Sequence, residues 1–163
     1  MADFKPSWQW LLSRPICLLG FGFGTGLAPV APGTFGTLPA LPLAYLCMAM
    51  GITGWGLAAL CVPLFVVGIY ICDYTERLLG IPDYGGIVWD EIVAMMLVLA
   101  FVPLTWQWWL LAFVLFRLFD AVKPFPIKWF DARVKGGFGI MLDDLIAALF
   151  SLVVLLVIKI WVG

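Results

Sequence analysis

The stretch DLIAALFSLVVLLVIKIWV, residues 144–162, is charged only at Asp144 and Lys159. A second stretch, GWGLAALCVPLFVVGIYIC at residues 54–72, carries no charge at all. Each is long enough to cross a bilayer as a helix, which takes about 17 to 25 mostly apolar residues. The whole chain is 64% hydrophobic and 12% charged, whereas soluble domains are roughly 45–50% apolar. The sequence therefore predicts an integral membrane protein.

Three further apolar runs complete a predicted all-α bundle. Residues 38–50 are short and contain Pro39 and Pro42, whereas residues 87–104 and 106–119 are joined by a tight turn near Pro103. We predict a polytopic helical membrane bundle of about five spans, or four if the first run does not cross. No linker or repeat divides the 163 residues, so we expect a single membrane-embedded domain, residues 1–163.

The charges predict the orientation. If all five runs cross, eight of the nine Lys and Arg residues lie on one side, and only Lys159 lies near the other. The positive-inside rule assigns the charged side to the cytoplasm, which predicts a multi-pass protein with the N-terminus inside and the C-terminus outside. The first residues, with Asp3, Lys5 and Arg14 around the apolar run 8–12, are interpreted as an interfacial helix.

Composition excludes several functions. A net charge of −1 leaves no basic face for nucleic acid, and the four cysteines show no metal-binding or redox spacing. The chain has no His, which removes the His-dependent phosphatases, and no Cys is followed by Arg six positions later. It also lacks an Asp-x-Asp motif and the pattern of CDP-alcohol phosphotransferases.

The stretch GFGFGTGLAPVAPGTFGT, residues 20–37, is too rich in glycine and proline for a regular helix. Exposed amides in such an interfacial loop can form an anion-binding nest. Close helix packing through small residues is the alternative, which we favour for residues 20–26. For GTFGT, residues 33–37, we favour contact with a ligand phosphate, and the candidate residues there are Gly33, Thr34, Gly36 and Thr37.

Carboxylates recur at the charged ends of the predicted spans. Asp73 and Glu76 share one helix face with Arg77, which is also able simply to pair with Asp73. Ionisable groups beside a span are costly and usually functional. Asp83 is interpreted as a turn residue. The remaining acids begin two predicted spans, where they also suit the helix dipole: Asp90 and Glu91 before residues 92–104, and Asp143 and Asp144 before residue 145.

Basic residues follow the fourth predicted span. Arg117, Asp120 and Lys123 are three residues apart on one helical face, before Pro124 and Pro126 end the helix. Two cations on one face are able to hold a phosphate. Lys128 is a further candidate for phosphate, although it also suits nonspecific contact with anionic headgroups.

Hard oxygen ligands without His favour Mg²⁺, which proteins usually hold through one or two carboxylates and substrate phosphate. The pattern therefore predicts metal-assisted phosphoryl chemistry on a phospholipid at the cytoplasmic interface. The predicted metal ligands are Asp73, Glu76, Asp90, Glu91, Asp143 and Asp144; the predicted catalytic residues are Asp90, Glu91, Asp120, Lys123 and Asp143; Arg117 joins Lys123 and Lys128 at the phosphate.

Five segments in order resemble the bacterial phosphatidylglycerophosphatase A family. They are APGTFGT (31–37), DYTE (73–76), IVWDE (87–91), FRLFDAVKPFPI (116–127) and GGFGIMLDDLIAA (136–148). The resemblance implies a Mg²⁺-dependent hydrolase that removes the terminal phosphate of phosphatidylglycerophosphate at the bacterial inner membrane. The nucleophile is either a water or an Asp, and Asp120 is either a base or a residue that orients Lys123.

Three other functions fit the composition. A phospholipid phosphatase of broader specificity would use the same residues. An ion-coupled small transporter would bind its ion through these acids, but transporter sites usually lie near the bilayer midplane. A purely structural membrane subunit would not need Thr34 or Lys123.

Overall fold

A computed structural model describes residues 4–163, and Asp3 lies outside that range. These residues form nine α-helices and no strand, which confirms the all-α prediction. The helices are α1 (Trp8–Leu12), α2 (Pro15–Gly20), α3 (Pro32–Thr37), α4 (Ala40–Ala49), α5 (Trp55–Leu79), α6 (Trp89–Leu99), α7 (Trp106–Val122), α8 (Ile127–Arg133) and α9 (Gly136–Val162); a short 3-10 turn lies at Thr25–Leu27.

Within residues 4–163, two helices are long and apolar enough to cross a membrane, namely α5 and α9. The prediction of five spans is not confirmed, because α4 and α6 have 10 and 11 residues and α7 has 17. Helix α4 begins only after Pro39, and α6 ends at Leu99, before Pro103. Large apolar side chains such as Val62, Val66 and Val153 are exposed on the outer faces of α5 and α9, as expected of a membrane protein.

Helices α5 and α9 are antiparallel and meet at their charged ends. A Cβ on Gly137 would lie 2.0 Å from the carbonyl oxygen of Ile69, so only glycine permits this approach. Close to it, the Cys72 and Met141 sulfur atoms are 3.8 Å apart. Small residues allow membrane helices to approach in this way. The contact brings the acidic residues near the end of α5 to the acidic first turns of α9.

Helix α6 is the centre of the bundle, and nearly all of its residues are buried. It packs against α4, α5, α7 and α9. This position carries Asp90 and Glu91, in its first turn, into the interior.

Two local predictions were wrong. Asp143 and Asp144 do not begin a helix, because α9 already begins at Gly136; they lie about two turns inside it, at 3.6 residues a turn. The segment GTFGT is not an open loop but part of α3, where Pro32 is a favoured first residue. The irregular backbone is confined to the preceding residues, where Gly22, Phe23 and Gly24 have positive φ.

Candidate active site

Three helices bring three carboxylates together at the charged end of the bundle. Glu91 on α6, Asp120 on α7 and Asp144 on α9 each contribute an oxygen atom, and these atoms lie within 4.8 Å of one another. All three groups are buried. Like charges at this spacing repel strongly in a medium of low dielectric constant. The cluster, which we call the acid triad, is therefore stable only with a positive charge between or beside its members or with a proton on some of them.

Arg117 supplies one such charge. Its Nη1 lies 3.3 Å from Glu91 Oε1, and it also forms an ion pair with Asp120, one turn further along α7. The guanidinium group thus joins two members of the acid triad. Asp144 is not part of these ion pairs within the described chain, and its Oδ2 is buried there without a hydrogen-bond partner.

Lys123 ends α7 in a left-handed conformation, with φ of 49°. Its Nζ lies 3.2 Å from Asp131 Oδ1 and 3.7 Å from Asp143 Oδ2. Burial alone would lower the pKa of Lys123, but the Asp131 and Asp143 carboxylates outweigh burial and raise this pKa to about 12. In Asp131 a hydrogen bond with the Asp143 side chain and the charge of Lys123 outweigh burial and lower the pKa. Lys123 is therefore a permanent cation.

These groups surround a cavity of about 290 Å³. We call it the polar cavity. Its lining contains two cations, Arg117 and Lys123, and six carboxylates, Asp83, Asp90, Glu91, Asp120, Asp143 and Asp144. Among residues 4–163, Asp90 Oδ1 and Asp143 Oδ1 are also buried without a hydrogen-bond partner. The carboxylates in this lining outnumber the cations, so they repel a phosphate anion when they are ionised. A bound divalent cation would supply the positive charge that offsets this repulsion.

Helix α3 packs against the acid triad. The Thr37 hydroxyl is 2.7 Å from the Gly33 carbonyl oxygen and 3.2 Å from Glu91 Oε2. A Cβ on Gly33 would lie 2.7 Å from Arg117 Nη2 and 2.9 Å from Glu91 Oε1. The segment GTFGT therefore contacts the site, but its buried Thr37 hydroxyl supports Glu91 rather than facing open space.

Comparison with known proteins identifies the family. The chain matches the family described as Phosphatidylglycerophosphatase A over residues 18–159. It is 44% identical over 164 residues to Phosphatidylglycerophosphatase A of Haemophilus influenzae, covering 99% of each chain. It is 46% identical over 142 residues to Phosphatidylglycerophosphatase A of Escherichia coli, covering 86% of this chain and 81% of that one. The chain belongs to the phosphatidylglycerophosphatase A family.

Membership in this family makes the chain an enzyme of the phosphatase class and confirms the resemblance seen in the sequence. A protein of Bacteroides thetaiotaomicron with the provisional name phosphatidylinositol-3-phosphatase is 37% identical over 151 residues, covering 89% of this chain and 93% of that one. No solved structure matches the chain.

Most of the residues singled out in the sequence lie around the polar cavity. It brings together Asp90, Glu91, Arg117, Asp120, Lys123, Asp143 and Asp144. Glu76 instead lines an adjoining cavity of about 360 Å³, which shares Asp83 and Asp143 with the first. Gly36 packs against Val88.

Three of the predicted residues lie elsewhere. Asp73 Oδ2 pairs with Arg77 Nε at 2.9 Å, and Asp73 Oδ1 accepts a hydrogen bond from the Gly137 amide at 3.4 Å. The sequence already allowed Arg77 simply to pair with Asp73, and the structure has this ion pair. The Asp73 carboxylate therefore has a cationic partner away from the polar cavity. Lys128 is exposed and Thr34 is partly exposed, and neither lines the polar cavity in the described part of the chain.

Two residues near the site were not among the predicted site residues. Asp131, on α8, pairs with Lys123, but it lies in a segment whose charges resemble an ordinary solvated surface. Asp83 looked like a turn residue; it does lie in a turn, with φ of 52°, and that turn also lines the polar cavity. The left-handed φ of Asp83 marks it as a candidate functional residue only once the structure is known, because a non-glycine residue in that region often marks a functional site.

Proposed function

We propose that this enzyme hydrolyses the terminal phosphate of phosphatidylglycerophosphate to give phosphatidylglycerol. The observation that carries the proposal is the polar cavity, in which Arg117 and Lys123 stand beside the acid triad at the end of an apolar helical bundle. A phosphomonoester headgroup fits such a cavity, and the acyl chains of its lipid would stay in the bilayer. The relatives named for this activity support the choice of substrate.

Mg²⁺ is the cofactor that we propose. The donor set fits it, because the acid triad offers oxygen atoms only, and Mg²⁺ prefers a few carboxylates together with water and phosphate. Buried oxygen atoms of Asp144, Asp90 and Asp143 have no partner within residues 4–163 and are free to bind it. When bound, the ion would polarise the phosphoryl group and lower the pKa of a coordinated water.

The side chains of the chain itself would position the phosphate. Lys123 stays protonated and Arg117 offers planar N–H donors, so both suit the oxygen atoms on which negative charge develops. Asp120 is held by Arg117, which favours a positioning role for it. Asp90 or Asp143, each with a free oxygen atom, would accept the proton of the attacking water.

The membrane placement follows the charges. We propose that the bundle spans the bacterial inner membrane several times with the polar cavity at the cytoplasmic face. The antiparallel contact of α5 and α9 supports this placement, because it gathers Asp73, Glu76 and the first turns of α9 at one end.

The decisive experiment compares three lipids. The detergent-purified chain is given phosphatidylglycerophosphate, phosphatidic acid or phosphatidylinositol-3-phosphate, each with Mg²⁺ or with a chelator, and released phosphate is measured. Release from the first lipid alone, abolished by the chelator, is the expected result. Release from the inositol lipid would favour the broader phospholipid phosphatase, for which the Bacteroides relative is the specific reason. No release from any lipid by folded protein would refute the proposal.

A further inference from the structure

A third cavity, of about 230 Å³, lies between α5, α6 and α9. We call it the apolar groove. Its walls include Ala58 and Val62 of α5, Ala94 and Leu97 of α6, and Leu145 of α9. Apart from one carboxylate at its end, it is lined by apolar side chains and Cys61. The proposed phosphatase reaction does not use any of these apolar side chains.

The apolar groove and the polar cavity share one lining residue. Asp90 lines both of them. From Asp90 the groove follows α6 to Leu97, which is about 10 Å at 1.5 Å per residue. On α5 it reaches Ala58, near the end of that helix which lies away from the charged residues. The polar cavity and the apolar groove thus share a single residue, Asp90. From there the apolar groove runs away from the charged end of the bundle.

The groove is open to the outside along α5. Val62 is 62% exposed and Val66 is 60% exposed, although both line it. Helix α5 is one of the two helices long enough to cross a membrane in the described chain. A molecule could therefore enter the groove sideways from the hydrocarbon, without passing through water.

We propose that the apolar groove holds one acyl chain of the phospholipid substrate while its phosphate lies in the polar cavity. This assignment rests on the proposed function, and it adds the part of the lipid that the headgroup site does not contact. The occupant follows from the continuity at Asp90, since an amphiphile is the ligand whose polar and apolar parts need adjoining compartments of this kind.

The groove orients the lipid rather than attracting it. Lipid tails are as apolar as the groove walls, so transfer of a chain from the bilayer into the groove gains little hydrophobic free energy. A chain held against α6 restricts the positions of its own headgroup, and correct placement of the reacting group is worth a large rate factor. Filling the groove should therefore lower kcat/KM for long-chain lipids.

A matched pair of variants tests this. Ala58→Trp places a large side chain in the deep end of the groove, whereas Ala59→Trp changes the adjacent, exposed residue that does not line it. The measured quantity is the ratio of kcat/KM for a long-chain and a short-chain phosphatidylglycerophosphate. We expect Ala58→Trp to lower this ratio by about tenfold and Ala59→Trp to leave it unchanged. An unchanged ratio in folded Ala58→Trp protein would overturn the proposal.

A binding measurement decides the matter independently of turnover. A phosphatidylglycerophosphate with a photoreactive group near the end of its acyl chain is crosslinked to the wild-type protein, and labelled peptides are mapped. We expect label on residues 58–66, and we expect unlabelled phosphomonoester lipid, but not neutral lipid, to compete for it. Equal competition by neutral lipid would mean that any lipid occupies the groove, and label confined to residues outside 58–66 would mean that the acyl chain lies elsewhere; either result would overturn the proposal. If no lipid is hydrolysed, the proposed function fails, but this labelling still tests the groove.

Discussion

Glu91 has a separate partner on each of its two carboxylate oxygen atoms. It receives the Thr37 hydroxyl on one oxygen atom and Arg117 on the other, and it also belongs to the acid triad. A carboxylate held in this way has a fixed orientation before any ligand arrives. The residues that hold it are therefore expected to matter almost as much as Glu91 itself.

Thr37→Val is expected to lower activity by about 10- to 100-fold, the usual cost of losing a partner of a metal ligand. Valine keeps the shape of threonine but cannot donate to Glu91. Thr37→Ser restores the hydroxyl and should restore most of the activity, and Thr34→Val, outside the polar cavity, is the control. Phosphate release measures all three. Equal losses of activity in Thr37→Val and Thr37→Ser would show that activity depends on the packing of the Thr37 side chain and not on its hydrogen bond with Glu91.

Glu91→Gln and Asp144→Asn should each lower phosphate release by at least about a hundredfold. Both substitutions remove a charge from the acid triad with little change in volume. Asp73→Asn is the matched control, because Asp73 is occupied by Arg77 outside the polar cavity. Mn²⁺ can replace Mg²⁺ in this test, because its binding is detected through its paramagnetism. Its binding should weaken in Glu91→Gln and Asp144→Asn and stay unchanged in Asp73→Asn. Full activity of both triad variants would refute the proposed cation site.

Lys123 should contribute a constant amount to stability through the neutral and mildly alkaline range. Its pKa of about 12 in the folded protein exceeds the ordinary 10.5, so its contribution is fully present below pH 10.5 and is lost as the pH rises through about 12. Lys123→Met should therefore cost about 1 kcal/mol equally at pH 7 and pH 9, measured by thermal unfolding in detergent. Lys128→Met, at an exposed lysine, should cost nothing. A cost that already shrinks at pH 9 would contradict the ion pairing.

The structure brings together predicted site residues where the sequence puts several charges in one motif. The acids of IVWDE and the Arg117 to Lys123 pattern all reach the polar cavity, because each lies on a helix whose face is fixed by its period. Asp131 could not be found, because its contact with Lys123 depends on how α8 folds back beside α7. Asp73, also a predicted metal ligand, pairs with Arg77 outside the polar cavity.

At the scale of elements, α3 is the part that the sequence described least well. Its glycines suggested an anion-binding loop. In the structure, Arg117 and Glu91 lie against Gly33, and Val88 lies against Gly36, so neither position has room for a side chain. Sequence alone cannot distinguish a glycine that frees an amide from one that permits close packing. The long helices α5 and α9 were clear, since length and hydropathy specify them without knowledge of any neighbour.

Gly33→Ala tests how tightly α3 packs on the site. The added methyl group would lie 2.7 Å from Arg117 Nη2 and 2.9 Å from Glu91 Oε1, so it should displace both groups and lower activity by about a hundredfold. Gly56→Ala is the control, because its methyl group would meet only ordinary contacts at 3.8 Å. Phosphate release gives the activity and thermal unfolding shows that both variants fold. Normal activity of Gly33→Ala would mean that α3 can shift away from the acid triad without affecting the reaction.

For the whole molecule, the number of spans was the least predictable property. Hydropathy marks a segment as apolar, but a short helix such as α6 is apolar because other helices surround it. The grouping of charged residues was easier to predict, because they lie near the ends of the helices and the structure gathers many of them around two adjoining cavities.

The proposed orientation predicts a labelling pattern. Lys128→Cys should react with a membrane-impermeant thiol reagent only when the cytoplasmic face is accessible, and Val162→Cys only when the opposite face is. Intact cells and inverted vesicles provide the two exposures. The parent chain is the blank, because three of its cysteines are buried and Cys47 is partly buried. Labelling of both positions from the same face would refute a crossing by α9.

The position of Asp144 inside α9 has a consequence for the bilayer itself. Between Asp144 and Lys159 the helix is free of charge, a length of about 22 Å, whereas the hydrocarbon core of a typical bilayer is about 30 Å thick. In the proposed membrane placement, this hydrophobic mismatch requires either that the bilayer thins around α9 or that water reaches down to Asp144. In either case a phosphorylated headgroup would approach the acids without leaving the aqueous edge of the membrane.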